Sequence, residues 1–167
     1  MIALQITSLK KFMYQLLAND AFDDFLLEEA TINTAITYTI DGHINKDFYP
    51  LEVRDSVQLP YALQPWSEIK GLCYNLIKGK HTPLYFKFVL HLKPESANKL
   101  LEQAQMDIDF TQLKALVLNI RYDGTTATLT TGTAYHTFVL SKDADTIWDK
   151  EIQRFLADKQ IPFEPLA

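Results

Sequence analysis

Two stretches alternate, residue by residue, between the two sides of a strand, and this period of two restricts the fold more than any other feature. In the first, Ile32, Thr34, Ile36, Tyr38 and Ile40 interleave with Asn33, Ala35, Thr37 and Thr39. In the second, Leu84, Phe86, Phe88, Leu90 and Leu92 share one face, and Tyr85, Lys87, Val89 and His91 the other. Successive strand side chains point to opposite faces, so both stretches read as strands with one side on a core. Asp41-Gly42 follows the first run directly, and Asp123-Gly124 follows a third, Lys114–Tyr122. Glycine supplies the positive φ of a tight hairpin turn, so two hairpins are expected. The first would return through residues 43–49 with Ile44 and Phe48 inward. The second would return through residues 125–140, with a bulge at Gly132.

Four helices are expected between and around these strands. Leu9, Phe12, Met13, Leu16 and Leu17 form one continuous stripe at helical spacing, with Thr7 or Ser8 as the cap. Trp66, Ile69, Leu72, Cys73, Leu76 and Ile77 form a second face, opened by Pro65 and closed by Gly79. Pro94 starts a third helix that turns Ala97, Leu100, Leu101 and Ala104 inward. The last starts near Asp143 or Asp145 and buries Ile147, Trp148, Ile152, Phe155 and Leu156. Residues 50–65 carry Pro50, Pro60 and Pro65 and read as loop, with a short strand near Leu51–Val53. The elements alternate too freely for a sandwich and hold too few helices for a doubly wound fold. The expectation is an α+β protein: one largely antiparallel sheet, about four helices packed mainly on one side. The 167 residues suit a single domain, with 160–167 as tail.

Composition removes several function classes. A net charge of −5 disfavours general adhesion to nucleic acid or anionic membrane. The single cysteine, Cys73, lies on an inward stripe and can form neither an internal disulfide nor a CxxC metal site. No apolar run approaches about 18 residues, and Met1–Ser8 lacks the marks of a signal peptide, so a cytoplasmic location without membrane is expected. No GxGxxG, Walker or GxSxG signature is present, and His43, His81, His91 and His136 have no metal-binding spacing. Neither cofactor nor metal is expected.

The segments FDDFLLEEATINTAITYTIDGHINKDFY (residues 22–49) and LIKGKHTPLYFKFVLHL (residues 76–92) together resemble a family of functionally uncharacterised bacterial proteins, Firmicutes in type, of about this length. The resemblance is held by Ile40-Asp41-Gly42 and by Ile77–Leu84, and it covers most of the chain. It implies a bacterial cytoplasmic protein and brings no activity, cofactor or catalytic residue.

Charge is segregated along the chain. Residues 12–45 hold six acids and no Lys or Arg, whereas residues 69–94 hold five lysines and no acid. Lys78, Lys80, His81, Tyr85, Lys87 and His91 are therefore the candidate surface for an anion or a partner. Aromatic and cationic side chains mixed on one strand are also what single-strand nucleic-acid binders use. Acidic and basic faces could instead pair between copies of the chain, bind a protein partner, or simply face each other within one fold. Asp41 and Glu52 are weak candidate carboxylates for a metal-dependent nuclease-like enzyme. Arg54 stands where that chemistry wants lysine, and a guanidinium does not give up its proton. With no catalytic signature, the leading expectation is a small non-enzymatic binding or interaction module with a lysine-rich surface. Single-strand nucleic-acid binding is the alternative.

Overall fold

The computed structural model describes residues 1–54, 59–106 and 111–166. The chain starts with β1 (Ala3–Ile6), followed by α1 (Leu9–Met13) and a π-helical turn over Tyr14–Ala18. A hairpin follows, β2 (Phe25–Asn33) with β3 (Thr37–Asp41), then a short α2 (Leu51–Arg54) and β4 (Gln64–Pro65). α3 (Trp66–Ile77), β5 (Tyr85–Leu92) and α4 (Pro94–Gln103) come next. β6 (Leu113–Tyr122), β7 (Ala127–Tyr135), α5 (Asp143–Asp158) and β8 (Phe163–Pro165) complete the order. The strands form one sheet in the order β3-β2-β5-β6-β7-β1-β8, with β4 also on β2, and every pairing is antiparallel. The class is α+β, as the alternating runs and the helical stripes predict.

The core lies on one face of the sheet. Phe86, Phe88 and Leu90 of β5 pair across to Tyr122, Ile120 and Leu118 of β6, and all six are buried. Trp66 of α3 packs on Phe88 with ring centroids 5.1 Å apart. Phe12 of α1 and Phe155 of α5 both meet Phe22, and Trp148 of α5 meets Phe25. α1, α3 and α5 therefore cover one face. α4 sits at the end of β5, with Leu100 near Trp148 and Ala97 near Leu26. The other face presents Thr31, Lys87, Arg121 and Thr128 in one row across four strands.

Several local expectations need correction. The first hairpin turns at residues 34–36, not at Asp41-Gly42, because Asn33 pairs with Thr37 and Ile32 with Tyr38. A three-residue turn keeps the parity of both arms, so the period of two runs unbroken through the reversal. Phe48 points outward and is 82% exposed. Leu51–Arg54 is helical rather than a strand, opening directly after Pro50, whose fixed φ suits a first turn. The loop expected over 50–65 falls partly on residues 55–58, outside the described residues. Gly132 pairs in register with Val117, and the irregularity lies instead between Leu113 and Ala115. α5 starts at Asp143, as expected, and Asp145 and Asp149 within it accept hydrogen bonds from Thr133 and Thr131 of the sheet. Of the expected tail, Phe163–Pro165 is a strand on β1.

The Asp123-Gly124 hairpin is as expected, with Gly124 at φ 100°. The Asp123 carboxylate accepts from the backbone N–H groups of Thr126 and Thr125, which lowers its pKa to about 2. A depressed carboxylate pKa adds stability that is present above the unfolded value and lost as pH falls. Wild type will therefore lose stability between about pH 4 and pH 2 that an Asp123→Asn variant does not lose, read from urea midpoints across that range.

Gly42 has a different role from a turn glycine. A Cβ there would stand 1.8 Å from the carbonyl oxygen of Leu27. Its N–H donates to the Glu28 carbonyl at 2.8 Å, and its own carbonyl accepts from Gln64 N–H at 2.8 Å. Gly42→Ala will lower stability by about 3 kcal/mol, seen as a reduced denaturant midpoint with an unchanged slope.

Candidate functional site

The π-helical turn builds one wall of a cleft. Its distinguishing bond runs from Asn19 N–H to the Tyr14 carbonyl, five residues back, at 2.9 Å. Carbonyls at the end of such a segment have no partner within it. Here α3 supplies them: the Trp66 indole N–H donates to the Leu16 carbonyl at 2.9 Å, and Lys70 Nζ donates to the Asn19 carbonyl at 2.8 Å. Lys70 also pairs with Asp23 at 2.6 Å. The two segments are locked at this end.

At the other end they diverge over the start of β5 and the end of β6. The space between is a cleft of about 410 Å³. Leu17, Ile77, Phe86 and Tyr122 line its apolar interior, and Tyr14 and Tyr74 stand at its mouth. Tyr14 is 57% exposed and Tyr74 43%. The remaining wall is the chain after α3, with Lys78, His81 and the buried Pro83. Lys78 Nζ sits 5.4 Å over the Tyr74 ring. No carboxylate is among the described residues that line the cleft. It is an apolar slot with an ammonium and an imidazole at its rim, and its size is within the range of small-molecule pockets.

The structure splits the lysine-rich surface expected from sequence. Lys78 and His81 share the cleft, and Lys80 is exposed in the turn between them. Tyr85, Lys87 and His91 lie on the opposite face of the sheet, because strand side chains alternate. There they have partners. Lys87 pairs with Glu29 at 3.1 Å, His91 Nε2 lies 3.1 Å from Glu28, and the Arg121 guanidinium stands 5.9 Å over the Tyr85 ring. The acidic and basic blocks of the sequence thus face each other across β2 and β5 and between Asp23 and α3.

Asp41 ends β3 and binds its own neighbour, with His43 Nδ1 2.7 Å from Asp41 Oδ1. The His43 backbone N–H and imidazole hold its pKa below the usual range. Glu52 lies on α2, not on a strand beside Asp41. Among the described residues, no group of three or more His, Cys, Asp or Glu side chains is arranged to hold a metal ion. No helix among them is long and apolar enough to cross a membrane. What sequence reasoning missed was the cleft's other wall. Its one visible signal was Tyr14, an aromatic lying off the buried stripe of the first helix.

A family model described as a family of unknown function, DUF5721, matches residues 15–164. The chain belongs to this family. The matched range takes in the π-helical turn from Gln15 onward, α3 and the whole Lys78–His91 stretch. No curated protein and no solved structure matches the chain.

Cys73 lies inside α3, and burial pushes its thiol up to about 12. Since the thiolate is the reactive form, native protein will not react with a thiol reagent at neutral pH. The label will enter at the rate of unfolding, which mass spectrometry after timed exposure will measure.

Proposed function

We propose that this DUF5721 protein is a small non-enzymatic binding module whose cleft takes an amphipathic anion: an apolar body with a carboxylate or phosphate at one end. One observation carries the reading. The apolar cleft of about 410 Å³ has Lys78 and His81 as the lining groups able to carry a positive charge, and both can meet a negative charge. The aliphatic and aromatic interior would take up the body of the ligand, at about 25 cal/mol per Å² removed from water. The Lys78 ammonium would hold the head at the mouth, where solvent still reaches it. The exposed tyrosines would close over the entrance with apolar area and hydroxyl groups in one side chain. A π-helical turn at this wall supports the reading, since such turns are frequent at functional sites.

The test is thermal unfolding with octanoate and octyl phosphate, against octanol as the uncharged match. A ligand at 100 times its dissociation constant adds about 2.7 kcal/mol, a rise of several degrees at this size. Both anions will raise the midpoint more than octanol does, and the Lys78→Gln/His81→Gln double variant will lose that preference while keeping its own midpoint. Equal shifts with octanol, or none with any of the three, overturn the reading.

A further inference from the structure

We propose that a second cavity, on the opposite face of the sheet, binds a small primary amine on an apolar body, held as its ammonium. This cavity is about 370 Å³ and shares no lining residue with the cleft. Leu26, Leu63, Leu92 and Ala97 supply its apolar wall, and His43, Tyr61 and His91 its polar one.

Two backbone devices assemble it. The register of β2 on β5 shifts between Leu27 and Glu29, leaving Glu28 as the extra residue of a bulge. Bulges re-aim a side chain, and this one brings Glu28 Oε2 to 3.1 Å from His91 Nε2. Gly42, with no Cβ, then lies directly on the bulge. The next residue, His43, is thereby carried to the cavity, where it bridges to Leu63.

The chemistry follows from where the protons are. An ionised carboxylate only accepts hydrogen bonds, so in the neutral form of each imidazole the nitrogen facing the carboxylate is the one that carries the proton. His91 commits Nε2–H to Glu28, which leaves Nδ1 as an acceptor. His43 commits Nδ1–H to Asp41, at 2.7 Å, which leaves Nε2 as an acceptor. The Tyr61 hydroxyl donates to Glu95, which leaves its oxygen lone pairs. That bond pushes the Tyr61 phenol up to about 12, so its proton stays in place.

Three groups lining one cavity therefore offer acceptors, each with a carboxylate behind it. An ammonium brings three N–H donors and the charge that Glu28, Asp41 and Glu95 favour. Two lysines oppose it: Lys114, exposed at the cavity wall, and Lys93, 5.5 Å over the Tyr61 ring. The balance is three carboxylates to two ammonium groups, and it favours a cation.

Calorimetric titration of the full chain with benzylamine, benzyl alcohol and benzoate tests this at neutral pH. Benzylamine will bind at least about tenfold more tightly than the other two, the worth of one charge-assisted hydrogen bond. Glu28→Gln will weaken benzylamine by about tenfold, since an amide carries no charge and can donate to the ring. His43→Gln, at an exposed position, will weaken it in a chain whose fold does not rest on that side chain. Lys78→Gln/His81→Gln will leave benzylamine binding unchanged, which separates this site from the cleft. Benzyl alcohol or benzoate binding as well as benzylamine overturns the proposal, and so does benzylamine binding that neither folded variant weakens.

Discussion

The indole of Trp66 holds three parts of the molecule in one relation. Fully buried, it packs its ring at a tilt against Phe88 of the central sheet and donates its N–H to the carbonyl of Leu16. The first contact places α3 on the sheet, and the second ties α3 to the π-helical turn. A buried carbonyl without a partner costs about 1–3 kcal/mol, so this single donor decides whether the irregular turn is tolerable. Lys70 repeats the arrangement one turn along, on the Asn19 carbonyl and the Asp23 carboxylate. Because the two segments are joined at this end, they part at the other, and the cleft between Tyr14 and Tyr74 is the result.

The sheet separates two chemistries. On the helical face the cleft is apolar with an ammonium and an imidazole at its rim. On the other face a cavity collects imidazole, phenol and carboxylate groups. The central strand β5 contributes to both, with Phe86 toward one and His91 toward the other. Strand alternation converts one stretch of sequence into two surfaces of opposite character. Part of each charge block of the linear sequence is used in joining β2 to β5, through Glu29 with Lys87 and Glu28 with His91, and in joining α3 to Asp23 through Lys70. What remains for recognition is the smaller set that the fold leaves without such a partner strand.

Much of the fold was legible. The stripe on α3, the alternation of β5 and the Asp123-Gly124 turn are local patterns, and each is recovered within a residue or two, except that Leu72 and Leu84, expected inward, are exposed. The first hairpin was misplaced because its three-residue turn preserves parity, so periodicity alone carries no mark of it. β1 and β8 are short strands at one end of the sheet, and their identity depends on β1 pairing with β7 on one side and β8 on the other. Of the candidate site, Lys78 and His81 were found as part of a basic run. Lys87 and His91 were grouped with them because spacing in sequence does not say which side of a sheet a residue takes relative to a distant helix end.

By itself the sequence determined the class of the fold, the family, the buried faces of α3 and β5, and the two charge blocks, because each is written in residues close together along the chain. Tertiary structure decided the rest. Gly42 had the residue type of a turn glycine and became the point where the chain presses on a bulge, since only the folded sheet puts Leu27 beneath it. The cleft and the second cavity are spaces between elements distant in sequence. Their chemistry depends on which carboxylate or carbonyl ends up beside which ring, and local patterns carry no information about that.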